Sequence, residues 1–86
     1  MKWPLIVRQV AGRSMEPKIM PKQFILASGW LRPKVGSVVV AKADGREVIK
    51  RVTAIDGNQV IIEGDNKKHS SKYIIKKSAI IGVRFG

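Results

Sequence analysis

Short apolar runs rich in Val and Ile recur along the chain at strand spacing, and nowhere is the 3.6-residue period of a helix sustained. They fall at 5–10, interrupted by Arg8 and Gln9, and at 24–27, 38–41, 47–55, 59–63 and 79–84. Turn signals separate them: Met20-Pro21-Lys22-Gln23, Arg32-Pro33-Lys34 with Gly36, Asp44-Gly45, Asp56-Gly57-Asn58 and Gly64-Asp65-Asn66. Asp44-Gly45 and Asp56-Gly57-Asn58 each lie between β-branched runs close enough to close a hairpin, which predicts a three-stranded meander over 37–63. A single helical turn is expected to begin at Ser14. The pattern predicts a mainly β fold, a compact antiparallel sheet or half-open barrel, in one domain over residues 1–86. Trp3, Leu5, Ile6, Trp30 and Leu31 are assigned to its core by default; exposed beside Ser14, they would instead form a docking patch.

The 86 residues leave room for one hydrophobic core. No apolar run approaches the roughly 20 residues that cross a bilayer, and Arg8 and Gln9 cut the first one below signal-peptide length. A cytoplasmic or membrane-peripheral protein is therefore expected. The absence of cysteine excludes disulfides, thiolate metal sites and a cysteine nucleophile, and neither a metal nor a cofactor is expected. Seventeen Lys and Arg against six Asp and Glu give a net charge of +11, which favours an anionic partner such as nucleic acid or an acidic membrane surface.

Two residues break the pattern. Lys50 falls on the same strand face as Val48 and Val52, where alternation calls for an apolar side chain. An edge lysine that snorkels to water is the ordinary explanation. Burial would instead lower its pKa from about 10.4 towards neutrality, at a cost of about 4 kcal/mol, and leave an amine able to accept a proton. Ser14, in Gly12-Arg13-Ser14-Met15-Glu16-Pro17, stands where the first strand gives way to a turn. A helix N-cap would account for it; so would a nucleophile presented on a tight turn, provided a base lies within reach. The sole histidine, His69, lies in a polar loop with no carboxylate placed beside it, so Lys50 is the better partner.

Four segments in order, Gly12 to Pro17, Pro33 to Val40, Val48 to Val52 and Glu63 to Asn66, resemble the catalytic core of the signal peptidase I family, serine endopeptidases with a Ser-Lys dyad and a largely β fold. The resemblance implies Ser14 as nucleophile, Lys50 as general base and the Ser14 N–H as an oxyanion donor. Met15 and Pro17 would shape the serine turn, Gly64, Asp65 and Asn66 would form a structural turn, and Ser70 would orient the lysine. Gly12 stands where some relatives carry a serine that adds an oxyanion donor. The Asp-Ser-Arg stretch expected after Asn66 is replaced by a region holding Lys67, Lys68, Lys72, Lys76 and Lys77. The likeness is to a minimal, anchorless member similar to small maturation proteases, which cleave a signal or maturation peptide from a polypeptide partner.

The main rival is a basic β-barrel that binds nucleic acid through Lys67 to Lys77. Its five aromatics, Trp3, Phe24, Trp30, Tyr73 and Phe85, are scattered rather than interleaved with basic residues as a stacking platform requires, which favours a solvated lysine face. A family member that binds peptides without cutting them is a further alternative. A self-cleaving regulator akin to phage and SOS-response repressors would need a DNA-binding domain, and only eleven residues precede Gly12. The sequence leaves the substrate and the oligomeric state open.

Overall fold

A computed structural model describes residues 2–86. Seven strands carry the chain: β1 (Ile6–Gln9), β2 (Phe24–Ser28), β3 (Val38–Ala43), β4 (Arg46–Asp56), β5 (Gln59–Glu63), β6 (Lys72–Lys76) and β7 (Ile80–Phe85). Every pairing is antiparallel, in the order β1-β2-β7-β3-β4-β5-β6. The only helical segments among the described residues are single 3₁₀ turns at Lys67–His69 and Lys77–Ala79. The sheet curls into a half-barrel, and the Arg8–Glu47 ion pair (2.5 Å) joins β1 to β4 although three strands separate them in the sheet order.

The meander over 37–63 forms as the turn chemistry predicts. Asp44 and Gly45 both take positive φ (51° and 75°), the conformation a two-residue hairpin loop needs to match strand twist. The first four residues of β3, Val38 to Ala41, are continuously apolar rather than alternating because both faces are covered there; Lys42 is exposed. Val38 and Val40 join Ile6, Val10, Met15, Ile19, Ile25 and Ala27 in one core cluster. Val39 and Ala41 join Val52, Val60, Ile62, Ile80 and Val83 in the other.

Three expectations change. β6 lies in what reads from the sequence as a lysine-rich polar region: Lys72, Ile74 and Lys76 face out while Tyr73 and Ile75 pack inward. Ser14 begins a hydrogen-bonded turn over residues 14–18 rather than a helix. Ile6 is buried, but Trp3, Leu5, Trp30 and Leu31 are exposed, because the outer face of β1 and β2 and the loop after β2 have no layer above them. Among the described residues no helix is long and apolar enough to cross a membrane.

Candidate active site

The serine turn is anchored from below. Met15 and Ile19 are fully buried in the first core cluster, and the Ile19 N–H donates to the Met15 carbonyl at 2.9 Å. Glu16 closes the near side, its N–H reaching the Arg13 carbonyl (3.2 Å) and its carboxylate pairing with Arg13 (3.1 Å). Pro17, after a cis peptide bond, is exposed. With its neighbours fixed, Ser14 sits half-buried, and its N–H makes no hydrogen bond within the chain among the described residues.

Lys50 occupies the middle of β4, directly across from Val39 on β3 and between Val48 and Val52 on its own face. It is 8% exposed, and among the described residues no carboxylate pairs with its ammonium. Burial holds its pKa below the ordinary 10.5; Tyr73 partly opposes that shift and the positive charge of Arg46 adds to it.

Gly64 joins the two. Carried one step beyond Arg51↔Glu63, the β4–β5 register sets Gly64 beside Lys50. A Cβ at Gly64 would lie 2.5 Å from the Ser14 carbonyl oxygen, 2.8 Å from Ser14 Cβ and 2.8 Å from Ser70 Oγ. Only bare backbone there lets the serine turn come down on the sheet next to the lysine. Asn66 then locks the contact: its N–H donates to the Ser14 carbonyl (2.7 Å) and its side-chain amide to the Arg13 carbonyl (2.9 Å). Asp65 faces the other way and takes two bonds from the Arg51 guanidinium at 2.8 Å each, while Arg51 also reaches the Gly36 carbonyl (2.7 Å). The Arg51 guanidinium holds the Asp65 carboxyl below its ordinary 3.8.

Gly12, Ser14 and Lys50 line one groove of about 420 Å³, within the size range of substrate pockets. A second depression, of about 390 Å³, lies on the far side of the Gly64 turn and holds neither Ser14 nor Lys50. Ser70 does not line the groove; its hydroxyl accepts from the Gly64 N–H (2.7 Å) and reaches the Ser71 carbonyl (3.3 Å), so it supports the turn. Ser71, Arg46, Tyr73 and His69 do line it. Arg46 was within reach of the sequence, four residues before Lys50 and therefore on the same face. Tyr73 and Ser71 were not, because their placement depends on β6. Among the described residues no three His, Asp or Glu side chains gather as metal ligands would.

A model of the family described as Peptidase S24-like matches residues 3–85. The chain belongs to the peptidase S24-like family. The serine turn, the Lys50 strand and the Gly64 turn all lie inside the peptidase S24-like span, which replaces the narrower resemblance to signal peptidase I. Comparisons with curated proteins and with solved structures gave no significant match.

Proposed function

We propose that the protein is a serine endopeptidase working through Ser14 and Lys50 on an extended segment of a partner polypeptide, as removal of a signal or maturation peptide requires. The observation that carries this reading is the bare Gly64, which sits beside Lys50 in the sheet register and admits the Ser14 turn onto its backbone, in the groove that Lys50 also lines. The family match supports a peptidase, and the depressed lysine supports a base.

In the reaction, Ser14 Oγ attacks the scissile carbonyl carbon as its proton passes to the neutral amine of Lys50. Negative charge on the carbonyl oxygen meets the free N–H of Ser14. The C–N bond then breaks, the Lys50 ammonium returns its proton to the departing amine, and an ester on Ser14 remains. Water attacks the ester with Lys50 again taking a proton; the acyl C–O bond breaks, and the Lys50 ammonium returns that proton to Ser14 Oγ, which restores the hydroxyl and the neutral amine. Ser14→Ala and Lys50→Met should each lower cleavage of a polypeptide substrate by about 10³-fold or more while the circular dichroism of the sheet is unchanged. Cleavage that persists in both variants contradicts the assignment.

A further inference from the structure

The groove beside Ser14 holds more positive charge than its own acids neutralise. Arg13 is paired with Glu16, and Glu47 with Arg8. Arg46 has no carboxylate in contact among the described residues: its Nη2 donates to the Tyr73 hydroxyl at 3.3 Å, and Asp44, in the β3–β4 turn, acts on it only through space. Tyr73 stands on β6, with β5 between it and β4, so the bond holds the exposed guanidinium over the groove that both residues line. His69 lines the same wall. An arginine held by a neutral hydroxyl keeps most of its five donors free, in the planar fork that fits a carboxylate.

We infer that Arg46 and Tyr73 form a subsite for an acidic side chain of the polypeptide substrate, so that the enzyme prefers a Glu or Asp close to the bond it cuts. This rests on the endopeptidase reading for its location and deepens it by naming the substrate class. Arg46 and Lys50 are four residues apart on one regular strand, about 13 Å, and an extended substrate advances about 3.3 Å per residue. The acidic residue therefore falls within about four positions of the scissile bond. The net charge of +11 steers such a substrate towards the protein, and the Arg46 fork fixes its register.

The test uses the Ser14→Ala protein and pools of fluorescein-labelled decapeptides built from Ala, Ser and Gly. One position is Glu in one pool and Gln in its twin, and that position is walked along the peptide. Fluorescence anisotropy should show the Glu pool binding about three- to tenfold more tightly at one register. Adding Arg46→Gln should bring the Glu pool down to the affinity of the Gln pool, and Arg46→Lys should keep some of the preference. Equal affinities, no binding of either pool, or a preference that survives Arg46→Gln overturns the subsite. A single-stranded oligonucleotide that binds in an Arg46-dependent way where the Glu pool does not would assign the fork to phosphate and overturn it too. Cleavage assays with the Ser14 protein separate the two readings. Equal cleavage of both pools removes the subsite and leaves the peptidase; a Glu preference in binding with no peptide cut removes the peptidase and leaves the subsite.

Discussion

A lysine at 8% exposure between two valines has lost part of the water that stabilises its ammonium, and no carboxylate among the described residues repays the loss. The folded chain therefore favours the free amine more than the unfolded chain does. At neutral pH the consequence is a penalty on stability. Lys50→Met keeps the length of the side chain and removes the charge, so it should stabilise the fold by about 1 kcal/mol, a rise of roughly 4–8 °C in Tm. Between the lowered pKa of the folded state and the ordinary 10.5, the unfolded chain binds more protons, and wild-type stability rises with pH. The gain from Lys50→Met should accordingly shrink as thermal melts are taken at rising pH. A gain that stays constant with pH would show that the amine is solvated. Lys50 was legible in the sequence because a single strand face shows its neighbours. The role of Ser70 was not, because its partner, the Gly64 N–H, comes from a different turn.

The turn after β5 is the element that makes the site. Its glycine leaves the space Ser14 needs, its asparagine bonds the serine turn, and its aspartate ties the whole to β4 through Arg51. Gly64→Ala should cost about 1–3 kcal/mol in denaturant unfolding, because the new methyl meets backbone and Cβ of Ser14 rather than the end of a flexible chain. Cleavage should fall with it even in the molecules that remain folded. The Asp65–Arg51 pair contributes stability that is present above the ordinary carboxyl value near 3.8 and is lost as pH falls through the lowered pKa. Asp65→Asn should thus cost about 1–2 kcal/mol at neutral pH, with wild type and variant converging as the pH falls below the ordinary 3.8 in acid titrations of the far-ultraviolet signal. The hairpins of 37–63 were readable from Asp44-Gly45 and Asp56-Gly57. β6 was hidden because lysines at its outer positions mark an edge strand and a solvated loop equally well.

Over the whole molecule, the site exists only because the sheet bends back on itself. β7 enters between β2 and β3, and the half-barrel then brings the loop after β1 to the turn after β5. The antiparallel class and every strand except β6 were legible, since both follow from local period and turn chemistry. The order of non-consecutive strands was not, because no local pattern records which distant edge a strand will pair with. The same limit applies to Trp3, Leu5, Trp30 and Leu31, whose apolar character predicted a core although the curl leaves them outside it. The titration of the Lys50 side chain in the intact protein, followed by carbon-13 NMR at Cε with Lys50→Met to assign the signal, tests the central claim directly. One lysine signal, absent in the variant, should titrate below the ordinary 10.5. A Lys50 signal that titrates at or above the ordinary 10.5 would contradict a buried amine poised to take the proton of Ser14.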